Sequence, residues 1–301
     1  MFATTLMPVL PDSAEARLAT VLAALDRERN AVGEIQGWLL PESLPDIPGF
    51  EMSPYYRPSE QAGGDYYDVV PLVEGQWGFV MADVAGHGIS AAVIMTVMRT
   101  LIHAELPGNR DKSAGEFLEH VNRVMSQTYL KNGRFVTVWA AVLNPVSRRL
   151  TYASAGHNPP RLLREGRVLE LGAASGVPLG IDPAATYDDE GLTLAPDDLL
   201  VIYTDGITEA MRPGIDGREL FGSERLDRVL SECGAAPPSD CARRVIQAIA
   251  AFTDDAAPTD DRTMLILRAN ASIPSQNAGS FCCQDMTESE FGARATAEVA
   301  S

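Results

Sequence analysis

Trp77-Gly-Phe-Val-Met-Ala-Asp83-Val-Ala-Gly86-His87-Gly88-Ile-Ser90-Ala-Ala is the stretch whose reading decides the fold. Its apolar run, Phe79 to Ala82, predicts a buried strand. Asp83 stands where that strand leaves the sheet. Gly86 and Gly88 then allow a sharp turn. The segment from Ser90 to Glu105 follows a helical period, with Ile94, Val97, Met98, Leu101 and Ile102 on one stripe. A carboxylate at a strand end, beside a turn, is placed to hold a metal or a reacting group.

The same arrangement recurs. Gly63-Gly64-Asp65-Tyr66-Tyr67-Asp68 lies upstream, and Leu199-Leu-Val-Ile-Tyr-Thr204-Asp205-Gly206 is another apolar run that ends in Asp-Gly. Thr259-Asp260-Asp261-Arg262-Thr263 leads into the apolar run Met264–Leu267. One Asp-Gly is usually only a turn. Four acidic sites, each bordering an apolar run, point together to hard divalent cations, whose preferred ligands are carboxylate oxygens.

The 301 residues suffice for one large domain or two small ones, and 46% hydrophobic residues can build a substantial core. A net charge of −17 argues against nucleic acid and against an anionic membrane surface. Cys233, Cys241, Cys282 and Cys283 form no C-x-x-C pair and have no histidine at zinc-ligand spacing. They are expected to be reduced thiols of a cytoplasmic protein. No apolar run reaches the roughly 18–20 residues of a membrane span, and the N-terminus lacks the basic start of a secretory signal.

Along the chain, residues 13–39 predict a helix, with Leu18, Leu25, Val32 and Leu39 at heptad spacing. Two readings stay open for it. It lies on its own domain as an amphipathic helix, or it self-associates or receives a regulator as a coiled coil. Pro41, Pro45 and Pro48 end it. The expected organisation is a helical segment over 1–40, a globular domain over 41–269 and a disordered tail over 270–301. Within the domain, a second helix is predicted over Ser113–Tyr129. Strands are predicted at Phe135–Leu143 and Arg149–Ala153, in a hairpin over Arg161–Leu171, and at Thr193–Leu194, Leu199–Tyr203 and Thr263–Arg268. Helices are predicted near Glu219–Leu230 and Ser239–Phe252. Hairpin-linked strands with helices in two blocks favour an α+β fold with antiparallel sheets.

Six segments in order then resemble the SpoIIE-type, sigma-factor-regulating branch of the bacterial metal-dependent (PPM) protein phosphatases. They are Ile35-Gln36 to Pro41, Gly63–Asp68, Asp83–Gly88, Ser154-Ala-Gly-His157-Asn-Pro-Pro160, Tyr203-Thr-Asp-Gly-Ile-Thr-Glu209 and Asp260–Thr263. Ala85 stands where that family often carries serine. The resemblance implies two packed antiparallel β-sheets flanked by helices. It also implies hydrolysis of phosphoserine or phosphothreonine on a partner protein, an anti-sigma-factor antagonist, by water bridging two Mn²⁺ or Mg²⁺ ions. The metal ligands it implies are Asp65, Asp83, Asp205 and Asp260, with the backbone carbonyl of Val84. Asp68 competes with Asp65 and Asp261 with Asp260, since residues 65 and 68 of a strand face opposite ways.

In that chemistry Asp65 and Asp83 are the catalytic carboxylates. His87 is a candidate general acid for the leaving alkoxide, or it only fixes its glycine turn. His157 carries the same alternatives, while His103 and His120 are expected to be structural or surface residues. Glu209 either orients metal-held water or faces solvent. Thr204 and Thr263 are candidates to hydrogen-bond the neighbouring ligands. The competing class is a catalytically silent binding module on the same fold.

Overall fold

The computed structural model describes residues 14–105, 113–172, 176–212 and 219–271. The chain order is α1 (Ala14–Gly37), β1 (Phe50–Arg57), β2 (Tyr66–Pro71), β3 (Trp77–Val84), α2 (Ile89–Glu105), α3 (Ala114–Thr128), β4 (Val136–Asn144) and β5 (Arg149–Ala155). It continues through β6 (Arg161–Arg164), β7 (Arg167–Glu170), β8 (Glu190–Thr193), β9 (Leu199–Tyr203), the single turn α4 (Asp205–Thr208), α5 (Gly222–Ser231), α6 (Pro238–Thr253) and β10 (Arg262–Ala269).

Alternation along the strands builds two five-stranded antiparallel sheets, in the orders β1-β10-β9-β6-β7 and β2-β3-β4-β5-β8. Phe79 and Met81 of β3 and Trp139 of β4 face Leu200, Ile202, Leu265 and Leu267 of the other sheet in a buried layer between them. The opposite pleats supply two outer cores. Val80, Ala82 and Val84 pack under α2 and α3, with Met95, Met98 and Leu118. Val201, Tyr203, Met264 and Ile266 pack under α5 and α6, with Leu226, Val245 and Ile249. The architecture is therefore helix, sheet, sheet, helix, in keeping with the α+β reading and as the family resemblance implied. Burying each such Leu, Ile or Met side chain contributes roughly 1.5–3 kcal/mol, so these three layers dominate the stability.

Most predicted elements agree within a few residues, and the differences have local causes. β1 was not anticipated, because Ser53-Pro54 interrupts its pattern. It is the outermost strand of its sheet, where a proline's missing N–H costs no ladder bond. The helix expected from Glu219 starts at Gly222, because Leu220 bridges to Met211. Ser113 caps α3 in a capping box with Glu116.

Helix α1 divides in two. Leu18, Val21, Leu22 and Leu25 are each more than half exposed, so the heptad face is not laid on the domain. The C-terminal end is docked. Gln36 Nε2 donates to the Gly63 carbonyl and Gly63 N donates to Gln36 Oε1. A Cβ at Gly33 would lie 2.1 Å from the Gln61 carbonyl oxygen, so only glycine permits this approach. Arg99 of α2 donates to the Leu39 carbonyl. The expected tail begins beside Gly49, whose carbonyl accepts from Asn270 N; residues 272–301 lie outside the described residues. No helix among the described residues is long and apolar enough to cross a membrane.

Candidate metal centre

Strand parity positions the site. Tyr67, Val69, Phe79 and Met81 point between the sheets. Residues two positions before or after them, Asp65 and Asp83, point the same way. Ala82 pairs with Tyr66, which sets Asp83 beside Asp65 at one end of the sandwich. Across the gap, Ile202 and Leu265 face inward, and so do Thr204 and Thr263. Asp205 begins α4 immediately after Thr204, and Asp260 precedes β10, so the chain breaks that end β9 and start β10 bring both to the same end.

The electrostatics agree with this convergence. Asp65 is fully buried; burial and then the Asp83 charge push its carboxyl well above the usual range, and the hydrogen bond from Thr263 opposes them. Thr204 Oγ1 donates to Asp65 Oδ2 at 2.7 Å, and Thr263 Oγ1 donates to the same oxygen. Burial pushes Asp83 up to about 8, with Asp205, Asp260 and Asp261 adding repulsion. Asp205 rises to about 6 for the same reasons, burial first and Asp260 next. The neighbouring Asp205 carboxylate is the first of the charges that disfavour ionisation of Asp83. Burial also raises Asp260, while His87 lowers it.

Such a donor set fits hard divalent cations: several carboxylates, mutually repelling, with a backbone carbonyl beside them. Gly64 is packed so closely on Val84 that a Cβ there would come 2.8 Å from the Val84 carbonyl oxygen. Among the described residues, no three acidic, histidine or cysteine side chains are drawn together as a closed cage. The carboxylates are neighbours that disfavour one another's charge.

The two competing aspartates are used elsewhere. Asp68 lies on the other pleat of β2, under α2. It accepts from Tyr66 Oη at 2.6 Å and from Val69 N at 2.7 Å, and its Oδ2 lies 2.7 Å from His103 Nε2. Asp261 is buried and accepts from Ser59 N, Ser59 Oγ and Gly64 N at 2.7, 3.0 and 2.6 Å. It fastens the loop that leads into Asp65. Asp260 is left facing Asp83 and Asp205.

His87 sits at the rim, its side chain 60% exposed, with Nδ1 2.9 Å from Glu60 Oε1. His157 is buried, and burial pushes it down to about 4, so it is neutral in ordinary conditions. Its Nδ1 lies 2.9 Å from Thr137 Oγ1, and Thr137 is the cross-strand partner of Asp83. His157 thus braces the strand behind a carboxylate. His103 engages Asp68, and His120 lies 3.3 Å from Glu105. Glu209 is exposed and adds to the repulsion on Asp205.

Thr204 and Thr263 both serve Asp65, rather than the aspartates next to them in sequence. Thr137, Ser59 and Gln36 were not anticipated, because their roles depend on pairings across long stretches of chain. Strand parity around Trp139 is the one signal that could have found Thr137. Tyr56 Oη is buried near Asp65 and Asp261 and has no hydrogen-bond partner among the described residues. Cys233 and Cys241 are free and buried; the other two cysteines lie outside the described residues.

The chain is similar to the phosphoserine phosphatase RsbU of Bacillus subtilis, 26% identical over 80% of this chain and 70% of that protein. It is similar to protein IcfG of Synechocystis sp., 26% identical over 79% of this chain but spanning only 40% of that longer relative. Its fold matches the SiaA-PP2C domain of Pseudomonas aeruginosa with a TM-score of 0.72, at 21% identity, over 83% of this chain and 99% of that one. The RsbU and RsbW domains of a Mycobacterium tuberculosis protein match with a TM-score of 0.65, at 26% identity, over 78% of this chain and 64% of theirs. The model of stage II sporulation protein E (SpoIIE) matches residues 73–270, two thirds of the chain, and the chain belongs to that family.

Proposed function

We propose that the chain is a metal-dependent protein serine/threonine phosphatase of the cytoplasm that removes phosphate from phosphoserine or phosphothreonine on a partner protein. The partner class is the phosphorylated anti-sigma-factor antagonist, by analogy with RsbU-type relatives. The observation that carries the reading is the electrostatic conflict at Asp83, where burial and three neighbouring aspartates disfavour its charge. Such crowding costs stability unless cations occupy it.

Asp65, Asp83, Asp205, Asp260 and the Val84 carbonyl would hold two Mn²⁺ or Mg²⁺ ions. Those ions supply positive charge for the phosphoryl oxygens and acidify water near neutral pH. The chain's own residues do the rest. Thr204 and Thr263 fix Asp65 in one rotamer by donating to one oxygen, which leaves its other oxygen free of those bonds for the ions it would hold. Thr137, held by His157, braces β4 beside Asp83. His87, steadied by Glu60 at the rim, is the proton donor to the leaving alkoxide. The buried sheet layers below the site exclude bulk water from its floor.

Regulation enters through α1. Its apolar face is the surface for a regulator or a second copy, and Gln36 connects it to the Gly63–Gly64–Asp65 loop. This route ends at Asp65, two residues beyond the Gly63 that Gln36 holds.

The test is hydrolysis of an aryl phosphate by the purified chain with Mn²⁺, with Mg²⁺ and with EDTA, beside Asp205→Asn. Activity should require metal and fall by about a hundredfold or more in the variant, beyond the loss typical of an outer-shell change. A folded chain that binds Mn²⁺ by calorimetry but turns over nothing would instead be a silent binding module.

A further inference from the structure

Arg262 is 5% exposed, and among the described residues its guanidinium donates to nothing; Nε is buried without a partner. Arg148 and Arg268 also leave Nε unpaired, but each of the other buried arginines places another guanidinium nitrogen on an acceptor. Arg148 donates to the Asn270 carbonyl. Arg161 pairs with Glu170 and Asp227. Arg268 donates to the carbonyls of Asp197 and Gly234. A buried guanidinium nitrogen without an acceptor is costly, and the terminal nitrogens of Arg262 are left to reach an acceptor from outside the chain. The neighbours that perturb it are Tyr55 and a second cation, Arg57.

Arg57 is the cross-strand partner of Arg262, the last pair of the β1–β10 ladder. Like charges directly opposite destabilise a sheet. Arg57 is exposed and has no carboxylate partner among the described residues, although the chain carries 41 acidic residues and only 24 basic ones. The pair is also next to the site. Arg262 follows Asp261, and Arg57 precedes Ser59, which clasps Asp261. Yet parity puts the arginines on the α6 side of their sheet, with Tyr55 and Met264, whereas Asp65 and Asp83 lie between the sheets. An anion held by the arginines is therefore a different group from the phosphate at the carboxylates.

We propose that Arg57 and Arg262 form an oxyanion subsite that captures a second anionic side chain, carboxylate or phosphate, on the substrate protein. The proposal rests on the phosphatase reading for the identity of the substrate. It supplies attraction where the site's own carboxylates repel an acidic ligand.

The test uses the full chain and fluorescein-labelled peptides carrying one phosphoserine flanked by glutamates or by glutamines. Anisotropy in EDTA reads binding, and phosphate release with Mn²⁺ reads turnover. The glutamate peptide should bind roughly tenfold tighter, the order expected of one or two charge-assisted contacts. Arg57→Gln should shrink that preference to about twofold or less, and Arg57→Lys should restore part of it. Because Arg57 is exposed, these variants are expected to fold even where Arg262→Gln does not. A peptide with a second phosphoserine in place of the glutamates tells phosphate from carboxylate. No preference in the unaltered chain, or one undiminished in Arg57→Gln, overturns the subsite. Absence of phosphate release from every peptide, with the binding preference intact, overturns the phosphatase reading and leaves the subsite standing.

Discussion

Asp65 and Asp68 are buried carboxylates three residues apart at the start of one strand, and they live in opposite environments. Asp68 faces α2 and meets a phenol, a backbone amide and an imidazole. Asp65 faces the gap between the sheets, where two threonines donate to one oxygen and the remaining neighbours include Asp83 and Asp261. The difference separates two uses of a buried acid. A carboxylate supplied with donors is part of the scaffold. One left among like charges is, on the proposed reading, a ligand for cations. Asp261 and Asp260 repeat the contrast at the start of β10, with Asp261 saturated by Ser59 and Gly64.

The largest expected effect is on turnover. Asp65→Asn should lower metal-dependent hydrolysis of an aryl phosphate by about a thousandfold, the upper range for removing a preorganised electrostatic group. Asp68→Asn should lower it less than tenfold. Equal losses in steady-state assays would erase the distinction. Stability should show the reverse order. Asp68→Ala leaves buried donors unpaired and should cost about 2–3 kcal/mol in urea titration, whereas Asp65→Asn in EDTA should cost nothing or raise the midpoint, since it removes a repelled charge. The smallest effect is on pH dependence. Asp83 titrates at about 8 in the fold against an ordinary value of 3.8. The folded chain therefore holds a proton that the unfolded chain has lost between those values, and stability in EDTA should fall as pH rises through that window. Thermal melts from pH 5 to 8 should show a decline that Asp83→Asn flattens; an unchanged slope would mean that other groups carry it.

Alternation and turn chemistry are local, so the antiparallel α+β class and the acids bordering its strands were legible in the residues, while the packing of two sheets came with the family resemblance. The apolar runs of β3 and β9 end beside an aspartate and that of β10 begins after two, and that much needs no pairing information. What stayed hidden depends on partners distant in the chain. Nothing near Thr204 announces that it donates to a residue 139 positions away. The open apolar face of α1 was equally illegible, since heptad spacing looks the same whether the stripe is covered or bare. Arg262 sits inside a segment already noted for its acids, but only register sets Arg57 opposite it and only burial shows that it lacks an acceptor.

The ladder between β1 and β10 joins Phe50 to Ala269, the first described strand to the last. Asp65 is likewise fixed by Thr263, across 198 positions. Closing so long a loop gains nothing until most of the chain has been ordered, which places this contact late in folding and makes the fold slow for its size. A chain still emerging from the ribosome would have Asp65 and Asp83 paired on their own sheet while β1 waited with a bare edge. Catalytic competence would then arrive in a single step with β10, making turnover a reporter of the moment at which the two ends of the domain meet.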